Sequence, residues 1–263
     1  MKTNSSIRII KSTYYSNWAD IFGYPLAFIL MNQLKKIKFL TPNMVTLFSF
    51  GLFLFGGISL FINYPFHQII GGFLIFCGYI GDDIDGQLAR ATGKSSNIGD
   101  FLDKVLDIFK IFIVNASLSY AVYLKTNNIL YIYLGFVSAF FFMIRYYIKL
   151  ETMFARINKD STYLEKSSEM QTYKEVELYD NLAKLKKSFF GKLQAILIRN
   201  RTILWVDEAE FAVFTLVFAL LNRLDLALWF FASSQVIIAL WRFYERGSQI
   251  NSNSGKLLWP LRK

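Results

Sequence analysis

Six apolar runs, at 45–63, 67–80, 101–124, 129–148, 211–221 and 226–243, constrain this chain more than any other feature of its sequence. A helix rises about 1.5 Å per residue, so crossing roughly 30 Å of hydrocarbon takes about 20 apolar residues. The second and fifth runs are short for that purpose, and each is expected to continue as polar helix past the bilayer core. Composition agrees: 54% of the 263 residues are apolar, 18% are aromatic and only 18% are charged. Mean hydropathy is +0.34, which excludes an ordinary soluble domain. The expected fold is all-α, a polytopic membrane protein with six transmembrane helices plus an N-terminal interfacial helix.

Six crossings place both termini, 84–98 and 149–206 on one side of the membrane. That face holds 24 of the 29 Lys and Arg residues, whereas the opposite loops hold only Lys125 and Arg223. The positive-inside tendency therefore puts the termini in the cytoplasm, and the expected location is a bacterial inner membrane. The net charge of +10 then belongs to a membrane surface rather than to nucleic acid. Residues 1–40 form a juxtamembrane segment in which Ile, Phe and Leu mix with Lys35, Lys36 and Lys38, suited to an anionic leaflet. No short apolar core with a small-residue cleavage site occurs there, so no cleaved signal is expected. The six-helix domain occupies 41–246, interrupted by a basic, solvated insert at 149–206, and 247–263 is a cytoplasmic tail.

One Cys (Cys77) excludes an intrachain disulfide framework and multi-cysteine zinc sites, and one His (His67) excludes a histidine metal cage. The chemistry must lie in the acids. Six of the 19 Asp and Glu residues fall between Asp82 and Asp107, where the second apolar run ends and the third begins. A carboxylate at the centre of a membrane helix costs about 2.5–3.5 kcal/mol on insertion scales, so this cluster must face water, counter-charge or metal. Asp82 and Asp85 are i and i+3, Asp103 and Asp107 i and i+4, so each pair shares one helical face. Four carboxylates on two helices form an oxygen-only donor set suited to Mg²⁺ or Mn²⁺, and such metals commonly bind a substrate pyrophosphate. Gly86, Ala89 and Gly99 leave room beside the acids for a ligand. Arg90 is placed either to hold phosphate or to pair with an acid, and Ser95, Ser96 and Asn97 can cap the third span.

In order, Asp82, Asp85, Gly86, Ala89, Arg90, Gly99, Asp103 and Asp107 read D-x-x-D-G-x-x-A-R-x8-G-x3-D-x3-D. This pattern resembles, at every position, the signature of the CDP-alcohol phosphotransferases, a family with a six-span membrane core. Thr41, Pro42, Asn43, Met44, Val45 and Thr46 similarly resemble that family's T-P-N-x-x-T segment. The resemblance implies transfer of a substituted phosphate group from a CDP-activated donor to an alcohol, with release of CMP, in phospholipid or related headgroup synthesis. At least one substrate would be a lipid. It further implies two Mg²⁺ or Mn²⁺ ions held by Asp82, Asp85, Asp103 and Asp107, with Asp107 also the general base. Asn43, Gly86, Ala89, Arg90 and Gly99 would border the nucleotide, with Thr46 beside Asn43, and two copies would form a homodimer.

Other readings remain for several residues. An intramembrane aspartate-rich prenyltransferase would also use Mg²⁺ and paired acids, and a cation channel or transporter would also gather Asp side chains; neither accounts for the glycine and alanine spacing. An acceptor phosphate could be held by Arg145 and Lys149, or by Lys184, Lys186 and Lys187, although cations at span ends commonly snorkel to the lipid surface. Asp83 and Asp100 are expected to be solvated or capping groups. Asp207, Glu208 and Glu210 suit the positive end of a helix, and Phe140–Phe142 are expected to face lipid.

Overall fold

The computed structural model describes residues 20–37, 39–62, 64–158 and 206–251. Among them are seven helices and no strand: α1 (Asp20–Leu34), α2 (Pro42–Phe61), α3 (His67–Thr92), α4 (Asn97–Thr126), α5 (Leu130–Ile157), α6 (Glu208–Leu220) and α7 (Leu224–Asn251). The all-α expectation holds. Four of them, α2, α4, α5 and the Leu224–Tyr244 part of α7, are long and apolar enough to cross a bilayer. Of the two short runs, the first lies in α3, which continues through Asp82, Asp83, Asp85 and Arg90, and the second in α6, which has 13 residues. Neither offers an uninterrupted apolar stretch of bilayer length.

Large apolar side chains point outward as well as inward. Phe48 and Phe55 on α2, Phe73 on α3, Phe112 on α4 and Phe136 on α5 are exposed, while Ile75, Val114, Leu118 and Phe211 are buried. Helices apolar on both faces need an apolar surrounding, and the chain is an integral membrane protein.

Local signals fix the helix ends. Thr41 caps α2 by accepting the Met44 N–H on its hydroxyl at 3.3 Å, and Pro42 occupies the first turn, where a missing N–H costs nothing. α3 ends at Gly93, whose φ of 67° is the left-handed conformation glycine adopts without strain. Ser96 caps α4 through the Gly99 N–H at 3.1 Å. Glu210 Oε2 accepts the Asp207 N–H at 3.0 Å at the start of α6.

The described residues fall into two compact units, 20–139 with 206–233 and 140–158 with 234–251. In the first, α2 and α3 approach so closely that a Cβ on Gly56 would sit 2.9 Å from the Gly71 carbonyl oxygen, and one on Gly71 equally near that of Gly56. α1 packs on α3 where Gly23 meets the Tyr79 ring, burying Ala27 and Met31 and leaving Leu26, Phe28, Ile29 and Leu30 exposed. Its outer face is thus apolar; Lys35 and Lys36 follow its end.

In the second unit α5 runs on to Ile157, carrying helix into the segment read as an insert. Lys184, Lys186 and Lys187 lie outside the described residues. Phe142 corrects an expectation: it is 1% exposed and packs on Tyr146 at 5.3 Å, while Phe140 is exposed. Consecutive helical residues point about 100° apart, so three in a row cannot all face lipid.

Candidate active site

The acids meet because α3 outlasts its apolar run and the chain then turns back at once. The connection at 93–96 sets the start of α4 beside the end of α3, and both stand against the start of α2 in the first unit. Helical phase turns Asp82 and Asp85 from α3, and Asp103 and Asp107 from α4, toward a common interior.

Asp82, Asp85 and Asp103 each present a carboxylate oxygen within 4.8 Å of the other two. Asp85 is 7% exposed, and Asp82 and Asp103 are half-buried. The Thr46 hydroxyl, from the first turns of α2, donates to Asp85 Oδ2 at 2.5 Å and lies 3.2 Å from the Pro42 carbonyl oxygen. This bond orients Asp85 from a third helix and leaves its other oxygen for a ligand. Three converging carboxylates, with a neutral donor steering one of them, match the hard-oxygen donor set that Mg²⁺ or Mn²⁺ takes.

Asp107 stands apart from that trio. Buried on α4, it accepts the Lys110 ammonium on Oδ1 at 2.8 Å, and Lys110 also donates to Asp82 Oδ1. Asp107 Oδ2 has no hydrogen bond among the described residues. Lys110 is 2% exposed, and Phe53 of α2 lies beneath it, ring centroid 5.7 Å from Nζ. The D-x-x-D-G-x-x-A-R-x8-G-x3-D-x3-D pattern ends at Asp107 and does not include Lys110. A signal was present, since a lysine inside an apolar run needs a partner and i+3 from Asp107 is within reach.

Around the acids, Asn43 and Gly99 are in contact: a Cβ on Gly99 would fall 2.9 Å from Asn43 Oδ1. Gly86 lies under Arg90, whose nearest guanidinium nitrogen is 3.4 Å from the position a Cβ would take there. Arg90 is exposed and makes no ion pair with any acid among the described residues. Ala89 is half-buried one residue before it. Asp100 pairs with Lys104 at the exposed start of α4. Asp83, expected to be a solvated or capping group, is half-buried with Oδ2 shielded from solvent. Arg145 and Lys149 belong to the second unit, where Arg145 donates to Gln235 Oε1 at 2.6 Å and lies over Phe142, and Lys149 lies over Tyr146.

Fold and site thus define an integral membrane protein whose helix ends converge on a carboxylate cluster that could hold a hard cation. The family model for CDP-alcohol phosphatidyltransferase matches residues 39–170, half of the chain, and the chain belongs to that family. It is 38% identical over 68 residues to archaetidylinositol phosphate synthase of Pyrococcus horikoshii, covering 26% of this chain and 35% of that protein. It is 36% identical over 113 residues to an uncharacterized protein of Aquifex aeolicus, covering 42% and 56%. A bifunctional IPC transferase and DIPP synthase of Thermococcus kodakarensis is 32% identical over 85 residues, 32% of this chain and 19% of that one. The matches therefore span less than two thirds of these relatives.

Proposed function

We propose that this protein transfers a substituted phosphate group from a CDP-activated donor to an alcohol acceptor, releasing CMP, with Mg²⁺ or Mn²⁺ held by Asp82, Asp85 and Asp103. The convergence of those three carboxylates, with Thr46 fixing Asp85, carries this reading. When bound, the cation neutralises the donor pyrophosphate and stabilises charge on the leaving CMP. Asp107 Oδ2 takes the proton of the acceptor hydroxyl as its oxygen bonds to phosphorus. The bridging P–O bond of the pyrophosphate breaks, and its electron pair leaves with CMP. Arg90, exposed and without an acid partner, serves the phosphates; Asn43, Gly86, Ala89 and Gly99 border the nucleotide.

The names of the relatives, archaetidylinositol phosphate synthase among them, support a phosphorylated polyol as acceptor and a CDP-linked lipid as donor. A part for Arg145 and Lys149 in holding an acceptor phosphate rests on the sequence. We further propose six crossings, counting α3 and α6, with α1 at the interface. The charge asymmetry supports placing the acids at the cytoplasmic face; a bacterial inner membrane is the membrane we propose. A homodimer rests on the family resemblance.

The test uses full-length protein in lipid nanodiscs. CDP-diacylglycerol, CDP-choline and CDP-ethanolamine are each offered with inositol phosphate and other polyol phosphates, and CMP release is followed with Mg²⁺ and with chelator. Metal-dependent CMP release, with thermal stabilisation by CDP exceeding that by a prenyl pyrophosphate, is the expected result. Stabilisation by prenyl pyrophosphate alone, with no CMP from any donor, overturns the proposal.

A further inference from the structure

Counting carboxylates gives four, enough for two divalent ions, but the count omits the charge already among them. Lys110 is no surface lysine folded inward. Asp103, Asp107 and Lys110 follow one another at i, i+4 and i+7, so the ammonium rises from the same face of α4 as the acids. Its surroundings are built for it on three helices. Phe53 of α2 turns its ring face to Nζ, and that ring fits only because α3 has Gly78 beside it, where a Cβ would fall 2.6 Å from Phe53 Cδ2. Asp82 of α3 and Asp107 of α4 accept two of the three N–H bonds.

One cation joining carboxylates of two helices does the work that a metal would do between the same groups. The arrangement also divides the four acids. Asp82, Asp85 and Asp103 converge within 4.8 Å of one another, whereas Asp107 is held by Lys110. Asp82 belongs to both groups, as the carboxylate shared by two cations.

We propose that Lys110 is a built-in second cation: its ammonium takes the position between Asp82 and Asp107, so each chain binds one exchangeable divalent ion, at Asp82, Asp85 and Asp103. Lys110 is then a positioning residue, fixing Asp82 as ligand and holding Asp107 by Oδ1, which leaves Oδ2 without a hydrogen bond. The inference rests on the metal site proposed above and replaces two metal ions with one metal ion and one ammonium.

The test is equilibrium binding of Mn²⁺ alone to the full chain in nanodiscs, with free Mn²⁺ read from its electron paramagnetic resonance signal. Wild type should bind one ion per chain. Lys110→Arg, which keeps the charge, should also bind one. Lys110→Met, which keeps the stem and removes the charge, should bind two, with folding confirmed by its thermal transition. Two ions in wild type, or one in folded Lys110→Met, overturns the proposal while leaving the metal site standing. If Lys110→Met does not fold, the wild-type and Lys110→Arg stoichiometries decide. No Mn²⁺ bound to wild type removes the metal site itself, and this inference with it.

Discussion

Helices α3 and α4 are polar at both ends, but their two ends hold charge in opposite ways. Where α3 starts and α4 stops, a cavity of about 260 Å³ is lined by Gln68, Lys125, Asn222, Arg223 and Asp225 among others. The charges there are met locally. Arg223 donates through Nε and Nη2 to the two oxygens of Asp225, at 3.0 and 2.9 Å, and Lys125 reaches Asn222 at 3.2 Å. At the other end, four carboxylates gather with one ammonium, partly or wholly out of solvent, and the surplus negative charge stays uncompensated by the fold. An end whose charges cancel needs nothing more to be stable. One that concentrates a single sign carries an electrostatic cost that a bound cation would offset, and so it is the candidate site.

Two substitutions should separate the two ends outright. Asp103→Asn removes a carboxylate from the trio and should lower CMP release more than about 100-fold, since even outer partners of a metal site are worth about 10–100-fold. Asp225→Asn, at the balanced end, should leave the rate within about twofold, because its partner Arg223 lies in water. Comparable losses from both would erase the distinction between the ends.

A smaller effect tests how the trio is held. Thr46→Val keeps the shape of the side chain and removes the hydroxyl that orients Asp85, so Mn²⁺ affinity should fall about 10- to 100-fold with the fold intact. Unchanged affinity would make the Thr46 contact a packing detail.

The smallest changes concern glycines whose neighbours differ. At Gly56 a Cβ would meet the Gly71 carbonyl oxygen at 2.9 Å and Ile75, so Gly56→Ala should cost about 1–3 kcal/mol in unfolding experiments. At Gly99 the obstacles are the tips of Asn43 and Ser96, short side chains that can give way. Gly99→Ala should therefore lower nucleotide affinity with less than about 1 kcal/mol of stability lost.

These differences also show what could be read without coordinates. The all-α architecture followed from apolar runs, and the pairing of Asp82 with Asp85 and of Asp103 with Asp107 from helical phase, because both depend on residues near in sequence. The link from Thr46 to Asp85 crosses 39 positions and that from Lys110 to Asp82 crosses 28, and no periodicity encodes contacts of that range. Lys110 was visible only as a charge in an apolar run, and its partner on α3 appears once the helices are packed. Phe142 went astray for a related reason: hydropathy ranks a side chain as apolar, while the packed neighbour decides between lipid and interior.

Asp82, Asp85 and Asp103, brought from two helices, would form one seat for a divalent cation. Mn²⁺ binding to the wild-type chain and to a chain with all three changed to Asn, both in nanodiscs and without substrate, tests it most directly. Saturable binding in wild type and none in the folded variant is the predicted result. Equal binding in both would place the metal elsewhere.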